Sequence, residues 1–274
     1  MKNIRFLTLL LLSMLSAAPM VAGGNDDANN REIGIEHIQD YAPVNLPDLH
    51  YTDEDAQGWY NVLGNLGFTC SFNNANQSAN ESHFERPNDA DWADNVDFAY
   101  FSGHGYSDGF YFSTNNPNHI ASYDQMTLGD SDLEWLFLSA CQVLQSPTWN
   151  QWKAIFASNG LHGMTGFHSV MQDTQNLGSL FAYYLTGTNG YSLCSIGDAW
   201  LYATHDDQPS QVYVYGVGWI QIRSAILCRA EYDPIIGIIT FNYYDEYLPG
   251  YGSGMYSDPG PYSINWWYYE TFGC

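Results

Sequence analysis

Two short apolar runs, Val96 to Ser102 (VDFAYFS) and Leu133 to Ser139 (LEWLFLS), constrain this chain more than any other feature. Neither alternates polar with apolar, so neither reads as a strand with one wet face. Near-continuous apolar runs suit strands buried on both faces, as in parallel sheets covered by helices. A third run, Leu161 to Phe167 (LHGMTGF), has the same character. Helical spacing is found between and after them. Trp149 to Ser158 is predicted to be a helix ended by Asn159-Gly160, and Leu177 to Leu185 and Ile196 to Thr204 are two more. Earlier, Glu32 to Ile38 alternates as a strand does. Thr52-Asp53-Glu54-Asp55 resembles a capping box that opens a helix carrying Trp59, Val62, Leu63 and Leu66, with Gly67 closing it. Phe68 to Phe72 and Val212 to Ile222 read as strand regions. Strands alternating with helices predict a three-layer α/β domain with a mostly parallel central sheet.

The ends of the chain have other textures. Lys2 and Arg5 precede an apolar run, Phe6 to Leu15, and small residues follow at Ser16 to Ala18 and Val21 to Gly23. That is the pattern of a signal peptide over residues 1–22, too short to span a bilayer core of about 20 residues. Secretion to the extracellular space is therefore expected, with no membrane span. Residues 23–31 (GGNDDANNR) read as a disordered start. The α/β domain is expected over 32–224. Residues 225–274, rich in Tyr, Gly, Pro and Trp, are expected to form a β-rich extension.

With 30 Asp and Glu against 7 Lys and Arg, the formal charge is −23. Such a surface repels nucleic acid and anionic membranes and attracts cationic peptides or Ca²⁺. Five cysteines, Cys70, Cys141, Cys194, Cys228 and Cys274, form an odd set for an exported protein, so one thiol is expected to stay free.

The chemistry collects where the first two apolar runs stop. One delivers Ser102-Gly103-His104-Gly105; the other delivers Ser139-Ala140-Cys141-Gln142. In open α/β sheets, functional residues gather at the carboxyl ends of strands. A cysteine nucleophile needs a nearby imidazole and amide N–H groups for the developing oxyanion, and glycine beside the histidine lets a substrate backbone come close.

An apolar strand ending in His-Gly, followed by another ending in Ala-Cys, resembles the caspase-like cysteine peptidases, the group of caspases, legumains, clostripain and gingipains. The stretch Leu161 to Phe167 is also similar to secreted prokaryotic relatives of unassigned function. The resemblance covers roughly residues 32–220 and implies a three-layer fold of caspase type and a secreted cysteine endopeptidase. It implies a His104/Cys141 dyad, with the Gly105 and Cys141 N–H groups as oxyanion donors and no cofactor. Cys141 would then be the free thiol, leaving Cys70, Cys194, Cys228 and Cys274 to pair. The negative charge points to a basic side chain before the cut bond.

Other residues compete or assist. Gly103, Gln142, His162, His168, Asp206 and Asp207 are candidates for the substrate cleft. His162 and His168 lie six apart on a predicted strand and share a face, a pair that could bind Zn²⁺ with Asp173 or Asp206, though core or cleft histidines fit better and no tight metal-ligand spacing occurs. His162-Gly163 rivals His104-Gly105 but falls after the cysteine. The aromatic tail Trp266-Trp267-Tyr268-Tyr269 supports a different reading, an inactive caspase-like scaffold that binds partners, carbohydrate among them.

Overall fold

The apolar runs are continuous because each strand feeds two cores at once. The computed structural model describes residues 29–114, 119–146, 148–156, 160–233, 235, 238–259 and 265–273. Its strands are β1 (Glu32–His37), β2 (Thr69–Ala75), β3 (Phe98–Ser102), β4 (Gly105–Tyr106), β5 (Gly109–Tyr111), β6 (Ile120–Ser122), β7 (Trp135–Ser139) and β8 (Gly163–Phe167). After these come β9 (Gln211–Val214), β10 (Gly218–Gln221), β11 (Arg223–Asp233), β12 (Ile238–Asn242) and β13 (Asn265–Gly273). The helices are α1 (Thr52–Asn65), α2 (Trp149–Phe156), α3 (Leu177–Thr186) and α4 (Ile196–Asp207).

Along β3, Phe98 and Tyr100 face one core while Ala99 and Phe101 face the other. Along β7, Trp135 and Phe137 face the first core and Leu136 and Leu138 the second. The first core lies against α1, α3 and α4, and the second against α2 and the small antiparallel sheet β4-β5-β6. The three layers expected from the sequence are thus present. Burying a large apolar side chain contributes roughly 1.5–3 kcal/mol, so Trp59, Phe137 and Trp200, all fully buried, fasten the helical layer to the sheet.

The central sheet runs β2-β1-β3-β7-β8-β11, with β12 and β13 both paired to β11. The first five strands are mutually parallel; β11 turns antiparallel against β8, from Ser224↔Phe167 to Cys228↔Gly163. The expected boundary at 224/225 therefore falls inside a core strand. Residues beyond it complete the central sheet instead of forming an appendage, because β11 supplies the edge that β8 lacks. Trp266, Trp267, Tyr268 and Tyr269 belong to β13, which pairs with β11; their side chains lie outside the described residues.

Two further expectations change. Thr52 does not cap α1: Tyr51 is the N-cap, no side chain caps it, and the Thr52 hydroxyl is buried without a hydrogen bond. The carboxylate of Asp173 instead accepts from the N–H groups of His50 (2.6 Å) and Tyr51 (3.2 Å) just ahead of the helix. The cysteines do not pair as expected either. No two of Cys70, Cys141, Cys194 and Cys228 are bridged. Cys70 on β2 and Cys228 on β11 are separated by five strand spacings, about 24 Å, far beyond disulfide reach. Residues 1–28 and Cys274 lie outside the described residues, and no described helix is long and apolar enough to cross a membrane.

Candidate active site

β3 and β7 are adjacent, parallel and in register, with Ser102 opposite Ser139. His104 lies two residues beyond Ser102 and Cys141 two beyond Ser139, so the register carries both to the same end of the sheet, on strands about 4.8 Å apart. Both line a cleft of about 130 Å³, together with Gly103, Leu49, Asp55, Met171, Asp173 and Thr174.

His104 is fixed from two sides. Its ring Nε2 lies 2.8 Å from the Pro47 carbonyl oxygen. A carbonyl only accepts, so Nε2 carries a proton and Nδ1 is the nitrogen left to exchange one. Its backbone N–H donates to the Tyr41 hydroxyl (2.8 Å), which in turn donates to the Tyr111 carbonyl (3.1 Å). The Tyr41 ring, fully buried, packs 4.5 Å from the imidazole.

Cys141 is half-buried and held by Met171, whose N–H donates to Sγ (3.3 Å) and whose carbonyl lies 3.8 Å from it. Burial pushes the thiol up from its ordinary value, the Met171 N–H opposes this, and the Asp173 carboxylate adds to it. The resting group is a neutral thiol. Gln142 follows with φ of 59°, a left-handed conformation that ends β7 sharply, and its N–H donates to Ser169 O (2.9 Å).

The two glycines of Gly103-His104-Gly105 are required by contact. A Cβ on Gly105 would meet the Cys141 carbonyl oxygen at 2.4 Å, and one on Gly103 would meet the Tyr41 hydroxyl at 2.5 Å. Gly105 faces Phe110 across the β4–β5 ladder, and the Tyr111 N–H bonds to His104 O (2.9 Å). Gly105 and Phe110 are therefore a non-hydrogen-bonded pair, and the Gly105 N–H points away from β5.

Beneath His104 and Cys141 lies a carboxyl expected from the sequence to be part of a cap. Asp55 is buried and accepts from Ser102 Oγ (2.7 Å), Tyr100 Oη (2.9 Å) and the Gly178 N–H (2.6 Å), with Ser139 as a further donor. Burial pushes its pKa up to about 6 against these hydrogen bonds. A signal was present, since Asp55 lies one turn before Trp59 on the apolar stripe of α1. Tyr41, Pro47 and Met171 had none, because loops alone bring them to the site.

Several candidates fall elsewhere. His162 is fully buried and precedes β8, at the opposite end of the sheet from Cys141. The strand starts only at Gly163, which separates His162 from His168 by the whole length of β8. There His162 sits between Glu246 (Nδ1, 3.1 Å) and Asp258 (Nε2, 3.5 Å). His168 follows β8 and donates its N–H to Arg223 O (2.9 Å), outside the cleft lining. Asp206 accepts from Tyr184 Oη (2.6 Å) on the exterior. Asp207 accepts from Thr174 Oγ1 and from Gln208 Nε2 (2.8 Å), so it supports the cleft wall from behind. Among the described residues no three His, Cys, Asp or Glu side chains are grouped to hold a metal ion.

The model of a family described as a domain of unknown function (DUF6345) matches residues 35–271. No curated protein matches the chain. Among solved structures it is similar to the Arg specific cysteine proteinase gingipain R, with 11% identity and a TM-score of 0.48 over 77% of this chain. The matched region spans 59% of the gingipain chain.

Proposed function

This chain belongs to the DUF6345 family, and we propose that it is a secreted cysteine endopeptidase of caspase type with His104 and Cys141 as its dyad. The observation that carries the reading is the register of β3 and β7, which gives His104 and Cys141 equal offsets beyond paired serines at one cleft. In this reading Cys141 Sγ attacks the scissile carbonyl carbon as its proton passes to His104 Nδ1. The oxyanion is received by the N–H groups of Gly105 and Cys141. The intermediate collapses with cleavage of the C–N bond, and the imidazolium returns the proton to the leaving amine. Water, deprotonated by Nδ1, then attacks the thioester, releasing the acid product and the thiol. Pro47 keeps Nδ1, not Nε2, as the exchanging nitrogen throughout.

Among the described residues the cleft lining holds the carboxyls of Asp55 and Asp173 and no Lys or Arg, which supports a basic side chain before the cut bond. One observation favours the rival reading of a binding scaffold: burial and Asp173 both raise the Cys141 thiol, the opposite of a preformed thiolate. A panel of fluorogenic peptides differing before the cut bond separates the two. Cleavage of the Arg and Lys members, reduced by at least about 10³-fold in both Cys141→Ala and His104→Ala, supports the peptidase. No cleavage of any member, with Cys141 unalkylated until denaturation, supports the scaffold.

A further inference from the structure

The β9–β10 ribbon is the least covered apolar feature among the described residues. Tyr213 is 57% exposed, Tyr215 95%, Val217 71% and Trp219 70%. Its sequence, Gln211 to Gln221 (QVYVYGVGWIQ), has no charged side chain in a protein of net charge −23. Tyr213 and Trp219 are a cross-strand pair whose rings touch at 5.6 Å, and Val212 on the opposite face packs against the core. Among the described residues the two strands pair only with each other. An uncharged, aromatic ribbon with open edges is a pairing hazard that soluble proteins normally blunt with charge.

The ribbon is also tied to the cleft. Ile222 N–H closes its root on Ser210 O (3.1 Å), and the next residue, Arg223, donates its N–H to Ser169 Oγ (2.8 Å). The Ser169 carbonyl takes the Gln142 N–H, and Met171, two residues on, holds Cys141 Sγ. One short segment thus joins the ribbon to the nucleophile.

We propose that the β9–β10 ribbon is a docking strand for extended polypeptide substrates, engaging an uncharged, aromatic- or aliphatic-rich segment away from the bond cut at Cys141. This rests on the peptidase reading for its purpose, though not for its test. An open strand edge offers backbone N–H and C=O groups to a chain that adds as a further strand, and the aromatic pair supplies contact with its alternate side chains. The absence of Lys and Arg argues against anionic lipid and nucleic acid. A lone sugar platform would make no use of the strand edges.

The test uses the full chain carrying Cys141→Ala, so that binding is read whether or not the protein cleaves. The probe is reduced, carbamidomethylated lysozyme, an unfolded and cationic polypeptide, titrated by anisotropy. Adding Tyr213→Ser and Trp219→Ser leaves the charge unchanged and is expected to weaken binding by about tenfold or more. A second variant, Tyr215→Glu at the exposed tip, is expected to weaken binding of an uncharged, aromatic-rich peptide probe similarly. Equal affinity in all forms would overturn the proposal. So would ribbon-dependent dimerisation in sedimentation, or ribbon-dependent capture by phosphatidylcholine vesicles or dextran in place of the polypeptide. Loss of binding in the variants together with no cleavage by the unmodified chain would sustain the docking strand while refuting the peptidase.

Discussion

The backbone of Gly105 rests against that of Cys141: a single added carbon on Gly105 would stand 2.4 Å from the Cys141 carbonyl oxygen and 2.8 Å from both Ala140 Cβ and Val143 Cγ1. These obstacles are backbone and short, buried side chains, so nothing flexible can move aside. Gly105→Ala must push the β4 hairpin away from the end of β7. Overpacking of this kind costs about 1–3 kcal/mol, several degrees in Tm for a chain of this size. If the peptidase reading holds, any activity dependent on Cys141 should fall further than stability does, because in that reading the displaced N–H is an oxyanion donor. A variant with unchanged Tm and unchanged turnover would show that the two strand tips are not in contact.

The same tips govern thiol chemistry. With Cys141 raised by burial and by Asp173, alkylation by iodoacetamide should be slow at neutral pH and should accelerate only above the ordinary thiol range, since the thiolate is the reacting form. Asp173→Asn keeps an oxygen for the His50 and Tyr51 N–H groups while removing the charge. It is expected to shift the pH–rate curve of Cys141 to lower pH. Peptide mass mapping distinguishes Cys141 from Cys70 and Cys194, whose thiols burial also raises. Rapid labelling of Cys141 at pH 7, unaffected by Asp173→Asn, would contradict this account.

At the far end of the sheet, His162 joins the residues after β12 to the start of β8. Burial alone would push its pKa down, but Glu246 and Asp258 outweigh burial and hold it up at about 9. The folded chain therefore keeps a proton that the unfolded chain releases near 6.5. The stabilisation is complete below pH 6.5 and is lost as pH rises through 9, on the order of 3 kcal/mol. Urea unfolding at pH 6 and pH 9.5 should show this loss in the unmodified protein and a much smaller one in His162→Gln. Equal losses in both would mean that His162 is neutral in the fold.

How far the sequence could be read follows from the range of each interaction. β3 and β7 were legible because burial on both faces is written into consecutive residues, and His104 and Cys141 followed as the residues where those runs stop. The boundary at 224/225 misled because the tail's composition resembles an appendage, whereas β11 is placed by pairing with β8, a contact across about sixty residues. Pro47, Tyr41 and Met171 reach the site by loop geometry that no local pattern encodes. The disulfide expectation failed for a related reason: it rested on counting cysteines, and strand order sets Cys70 and Cys228 apart.

Asp55 links the floor of the cleft to the stability of the fold. Its carboxyl joins Ser102 and Ser139, the last residues of β3 and β7, to Tyr100 and to the first turn of α3 at Gly178. Burial holds its proton up to about pH 6, whereas the unfolded chain releases it near 3.8. Because the unfolded state then binds fewer protons, stability should fall as pH rises from about 4 to 6, by about 3 kcal/mol from this group. Asp55→Asn cannot ionise and still offers an oxygen to the Gly178 N–H and the hydroxyls, so its stability should lack that component. The comparison is urea unfolding of both forms at pH 4 and pH 7, where the other carboxylates contribute equally and cancel. A variant that loses as much stability as the unmodified chain between those pH values would place the Asp55 proton elsewhere. If the variant matches or exceeds the unmodified chain at pH 7, the fold is retaining a destabilising acid beneath Cys141, and the reason for keeping it lies in positioning the two strand tips.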